Sequence, residues 1–98
     1  PFDTGLDSAP QLDENLKLIT KAGSPFMIPV GSKAVLDAIR KHEPELGLHG
    51  HIHESRGAYN CGRTLCINPG SEYSEGVLRG VIVELSDDKI RNYTFTSG

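Results

Sequence analysis

The breakers Gly23, Pro25, Pro29 and Gly31 on one side and Pro44 on the other bracket the segment Ser32 to His42, and that bracket constrains the fold more than any other feature of the chain. Within it Ser32 stands where an N-cap belongs. Ala34, Val35, Ala38 and Ile39 recur at helical spacing, and Lys41 and His42 fall in the last turn, where the helix dipole favours cations. The sequence predicts one helix there. Leu12 to Ile19, with apolar residues at 12, 16 and 19, suggests one or two further helical turns. Beyond Pro44 the pattern becomes extended: Leu46 and Leu48, then Thr64 to Ile67 stopped by Asn68-Pro69-Gly70, then Val77 to Leu85 and Lys89 to Thr96 around a turn at Ser86-Asp87-Asp88. The expectation is one α/β unit over residues 1–98, loop-rich over 1–31 and helix-then-strands over 32–98, with about four strands and one or two helices.

Ten Lys and Arg against thirteen Asp and Glu leave a net charge of −3, which excludes the basic footprint that binds nucleic-acid backbone. No apolar run approaches the roughly 20 residues that span a bilayer, and nothing reads as a signal peptide, so a soluble, cytoplasmic protein is expected. Cys61 and Cys66 are too few for a disulfide-stapled scaffold and are expected as reduced thiols, although a hairpin disulfide stays open. The chain begins at Pro1 without an initiator Met, so a processed or trimmed piece of something longer is expected.

Three of the four histidines fall within His49 to His53, directly after a short apolar strand. In extended backbone His51 and His53 project to one side while Ile52 points to the core, and Gly50 permits a close turn at the strand end. Two neutral imidazoles facing one volume suit Zn, Mn or Fe. The competing reading leaves them as hydrogen-bonded polar residues. His49 is read as a structural neighbour of the pair, and His42 as a surface residue at a helix end.

Leu46-Gly47-Leu48-His49-Gly50-His51-Ile52-His53-Glu54-Ser55, followed by Gly62-Arg63-Thr64 and by Asn68-Pro69-Gly70-Ser71, resembles the C-terminal part of the calcineurin-like metallophosphoesterases. Gly50-His51-Ile52-His53 is similar to that family's last metal motif, and Pro1-Phe2-Asp3-Thr4-Gly5-Leu6-Asp7 is similar to the loop after another of its metal-binding histidines. The resemblance implies the C-terminal half of a two-sheet α/β/β/α sandwich. It also implies a two-metal phosphate mono- or diester hydrolase in which His51 holds one divalent transition metal (Mn, Fe or Zn) and His53 the other. The metals of such a site activate water and orient the phosphate. The family's Asp-x-His, Gly-Asp and Gly-Asn-His motifs and one further histidine have no match in residues 1–98; that histidine is expected at or just before Pro1. Two histidines do not complete a two-metal site, so the chain alone is expected to bind metal weakly or not at all and to be inactive.

Asp3, Asp7 and Glu54 offer oxygen ligands but serve equally as turn caps or exposed residues. Cys61, Cys66, His51 and His53 together would have the donor set of a structural zinc site, without the usual C-x-x-C spacing. Ser71 lacks a nucleophile elbow. Arg56, Arg63 and Arg79 are candidate phosphate contacts, and Glu72, Tyr73, Glu75 and Arg79 between glycines are candidates for a substrate mouth. The expected partners are a missing N-terminal half with a phosphate ester substrate or, as a non-catalytic assembly module, another copy paired through exposed strands; neither a nucleic acid nor a membrane is expected.

Overall fold

The computed structural model describes residues 1–87 and 89–98. The bracketed segment is α1, Lys33–His42. Ser32 is extended and its Oγ accepts the Val35 N–H at 3.1 Å, while Glu43 takes a left-handed conformation that returns its N–H to the Ile39 carbonyl at 2.8 Å. Leu36 and Ile39, three residues apart, form the buried face. The expected stripe through Ala34, Val35 and Ala38 is shifted: those three are exposed, and of the stripe Ile39 alone is buried.

The sheet under this helix has three strands, β5 Leu46–Leu48, β6 Gly57–Cys61 and β7 Thr64–Asn68, in the order β5-β7-β6. β7 runs parallel to β5, with Leu46 opposite Leu65 and Leu48 opposite Ile67, and antiparallel to β6. A two-residue turn at Gly62-Arg63 closes that hairpin, with Gly62 at φ 59, a conformation that suits glycine. As the middle strand, β7 buries Thr64, Cys66, Ile67 and Asn68 almost completely. Leu6, Leu36, Ile39, Cys61 and Cys66 pack as one small core, with Phe2 against it.

Residues expected as loop form a slender arm. β1 Ser8–Pro10 pairs antiparallel with β4 Met27–Pro29, and β2 Thr20–Lys21 pairs with β3 Ser24–Pro25. The helical turns expected over Leu12 to Ile19 do not form. Leu12 instead bridges Leu18, because the Asp13 carboxylate takes the N–H groups of Asn15 and Lys17 at 2.8 and 3.0 Å and gives the backbone a turn in place of a helix.

The longest strands, β8 Arg79–Ser86 and β9 Lys89–Ser97, form a hairpin with an irregularity at Glu84/Leu85. Of the expected turn, Asp88 lies outside the described residues. No helix is long and apolar enough to cross a membrane among the described residues. The radius of gyration is 15.2 Å, against about 13 Å for a compact domain of roughly 100 residues. The architecture is a strand-rich mixture of one helix with several small sheets, compatible with a small α/β domain.

Candidate metal centre

Because β5 and β7 are parallel neighbours, their C-terminal ends reach the same edge of the sheet, the place where open α/β sheets hold ligands. The histidine loop leaves one strand there and Asn68-Pro69-Gly70-Ser71 leaves the other. The His49 N–H bonds the Ile67 carbonyl at 2.9 Å and carries the ladder one step past Leu48. The backbone then turns: His51 sits at φ 75, in the left-handed region, so the extended alternation expected for His51 and His53 is broken.

Asn68 ties the two loops together. Its Nδ2 donates to the Ile52 carbonyl at 3.0 Å and to the Leu6 carbonyl at 3.1 Å, and its Oδ1 accepts the Gly70 N–H at 2.9 Å. Ser71 donates its N–H to the His53 carbonyl at 3.0 Å, which ties the two loops together a second time. Gly70 has φ 76, and a Cβ there would stand 2.9 Å from the Cβ of Arg56 and 3.2 Å from the His53 carbonyl oxygen. Only glycine lets the two loops pass this closely.

The Pro1 to Asp7 segment enters the same corner. The buried Asp7 carboxylate accepts the N–H groups of Asp3 (2.9 Å), Thr4 (3.2 Å) and Gly31 (2.8 Å). Burial pushes this carboxyl up, but the three donors outweigh it and hold it below its usual value. Asp7 is therefore a cap that fastens residues 1–7 to the start of α1. Asp3 and Glu54 remain exposed.

The two expected ligands line different hollows. His51 lines a cavity of about 520 Å³ with Pro1, Asp7, Ser32 and His49. His53 lines a cleft of about 400 Å³ with Glu54, Arg56, Ser71, Glu72 and Arg79, and Tyr73 meets its ring edge-on at 5.4 Å. His49 is half-buried, its Nε2 has no hydrogen-bond partner among the described residues, and burial depresses its pKa. A Cβ on Gly47 would lie 2.5 Å from that Nε2 and 3.3 Å from Cys66 Sγ, so the imidazole occupies the space that Gly47 leaves open.

Among the described residues no three His, Cys, Asp or Glu side chains come together in a group that would hold a metal. His49 and His51 line one hollow and His53 the other, so the described residues do not make a closed coordination shell. Cys61 and Cys66 are free and buried in the hairpin, on diagonal positions of β6 and β7, and do not form a metal-holding group with His51 and His53. Burial and the neighbouring Cys61 push the Cys66 thiol up, as befits an inert core cysteine. Sequence reasoning named Asp7 as a turn cap among its readings but passed over Asn68 as the tie of this corner; the signal available was a polar residue ending a strand of otherwise buried character. In comparisons with known proteins, the chain matches no family model, no curated protein and no solved structure.

Proposed function

We propose that this chain is the C-terminal part of a calcineurin-like, metal-dependent phosphoesterase, with His51 and His53 each contributing one imidazole to a metal centre completed by residues outside the chain. One observation carries the reading. The three segments on which the resemblance rests, Pro1 to Asp7, Gly50 to His53 and Asn68 to Ser71, lie far apart in sequence yet converge at the C-terminal edge of β5 and β7, joined through Asn68. A set of chance matches has no reason to converge at an edge suited to ligands. In this reading the fold is one half of a two-sheet sandwich, and the substrate is a phosphate mono- or diester.

The test is hydrolysis of p-nitrophenyl phosphate and bis-p-nitrophenyl phosphate by the natural gene product, with Mn2+ added or removed. Metal-dependent turnover that falls at least about a hundredfold in His51→Ala and in His53→Ala is the expected result; a loss of one metal ligand removes several kcal/mol of charge stabilisation. The 98-residue chain alone is expected to be inactive. Robust activity of that chain, or full activity in both histidine variants, overturns the proposal.

A second reading, a non-catalytic assembly module, is favoured by the hairpin. Leu78, Ile82 and Leu85 are each more than 60% exposed on its β8 side, Leu78 and Ile82 at even positions and Leu85 on the opposite face, and exposed apolar side chains along a strand pair are of the kind that meet other chains. Light scattering distinguishes it: a concentration-dependent oligomer supports assembly, and a strict monomer at high concentration removes it.

A further inference from the structure

The cleft beside His53 is lined by two arginines, Arg56 and Arg79, that the metal-centre reading leaves without a task. Arg79 lies in the mouth with its side chain 23% exposed, held by the Glu72 carboxylate through both Nε and Nη2, so that its Nη1 edge takes no part in the pair. Arg56 lays its guanidinium over the Phe95 ring at 4.7 Å, and the close pass at Gly70 fixes the backbone from which it starts. Each fork is thus pre-positioned by a separate partner, which lowers the ordering that a ligand must impose. Of the three carboxylates in the cleft, Glu72 is engaged by Arg79, and Glu75 accepts the Ser74 hydroxyl at 2.9 Å. Glu54 stands exposed at the rim. Net charge therefore does not favour an anion here, and selection rests on the directed hydrogen bonds of the two forks. The volume, about 400 Å³, is in the range of small-molecule sites (roughly 300–1,000 Å³) and leaves room beyond a single phosphoryl group at His53.

We propose that Arg56 and Arg79 make this cleft a subsite for a second phosphate, so that the preferred esters are those whose leaving group carries a further phosphate. The inference rests on the phosphoesterase reading for its substrate, but the anion subsite is testable by itself. The experiment is calorimetric titration of the natural gene product, stripped of metal on a chelating resin, with inorganic triphosphate and with orthophosphate at low ionic strength.

Triphosphate is expected to bind at least about tenfold more tightly than orthophosphate. Arg56→Gln and Arg79→Gln are each expected to weaken it by about tenfold, in line with the loss of a charged hydrogen bond. Arg56→Lys and Arg79→Lys, which keep the charge but lose the planar fork, are expected to fall between. Arg63→Gln is the charge-matched control: although a candidate phosphate contact by sequence, Arg63 sits at the β6–β7 turn 3.9 Å from Glu43 and does not line the cleft, so this variant is expected to bind as the unaltered protein does. Equal affinity for the two anions, or the same loss in Arg63→Gln as in the cleft variants, overturns the subsite. Arginine-dependent triphosphate binding without metal-dependent ester hydrolysis overturns the phosphoesterase reading and the substrate class while the anion site stands. Hydrolysis without arginine-dependent binding overturns the subsite alone.

Discussion

In the corner where residues 1–7 meet β5 and β7, two buried polar side chains, Asp7 and Asn68, engage six main-chain groups between them. In the β8–β9 hairpin the ladder is longer, yet Ile82 and Leu85 are 61% and 62% exposed. The corner spends few apolar atoms and is specified by directed hydrogen bonds. The hairpin is specified by its register and leaves apolar surface for something else to cover. A main-chain carbonyl deprived of its donor in a buried site costs about 1–3 kcal/mol, whereas an exposed apolar side chain contributes little to folding. Stability and site geometry are therefore coupled in the corner and uncoupled in the hairpin.

Asn68→Ala is the strongest way to break that contrast. It strips the donor from the Leu6 and Ile52 carbonyls and the acceptor from the Gly70 N–H, and an unfolding loss of about 3–5 kcal/mol is expected by urea denaturation. A change below about 1 kcal/mol means that the corner is not the keystone described here. Gly70→Ala is expected to follow, because its Cβ adds a collision with Arg56 and the His53 carbonyl to the usual left-handed strain. Gly76, at φ 75 with nothing within 4 Å, supplies the comparison. Gly76→Ala is expected to lose about 1 kcal/mol from conformation alone, and Gly70→Ala clearly more.

These ties also show which parts of the molecule were legible in the sequence. The helix was readable because its limits are set locally, by Ser32 at one end and by the breakers at the other. Its buried face was not: Leu36 displaced Ala34, Val35 and Ala38 as the partner of Ile39, and only the position of the sheet decides which stripe is covered. Of the strands after Pro44, β5, β7, β8 and β9 were readable from apolar or β-rich runs, whereas β6 was missed because its middle is exposed and carries no apolar run, and the arm because its pairs are two or three residues long and largely exposed. The histidine loop was legible as a cluster at a strand end. Its geometry was misread, since the two-residue alternation holds only while the backbone stays extended, and His51 leaves that region at φ 75.

Asp7 sharpens the comparison through pH. Its carboxyl is held below the usual value of 3.8 in the folded chain, so between that value and the folded one the unfolded state binds more protons. The stabilisation it gives is complete above the unfolded value and is lost as pH falls through the folded one. Asp7→Asn keeps one acceptor oxygen and loses the charge, and is expected to destabilise by about 1–3 kcal/mol at neutral pH. The difference from the unaltered protein is expected to shrink in acid, as followed by urea midpoints down the pH scale. A gap that is constant with pH would show that the three N–H bonds to Asp7 do not depend on its charge.

The smallest expected effect on stability comes from the hairpin. Ile82→Ser and Leu85→Ser together are expected to change the unfolding free energy by no more than about 0.5 kcal/mol per residue, because both side chains are already largely in water. Their effect belongs to association. If β8 and β9 are covered by another chain, the double variant lowers the concentration-dependent mass seen by light scattering while leaving the urea midpoint in place. If instead it destabilises the isolated chain by 2 kcal/mol or more, on the order of a buried leucine's worth, these residues pack within the chain itself. The division between a polar corner that holds itself together and an apolar hairpin that awaits a cover then fails. The two readings of the surface thus separate on a single pair of measurements, since burial within one chain moves stability and burial between chains moves mass.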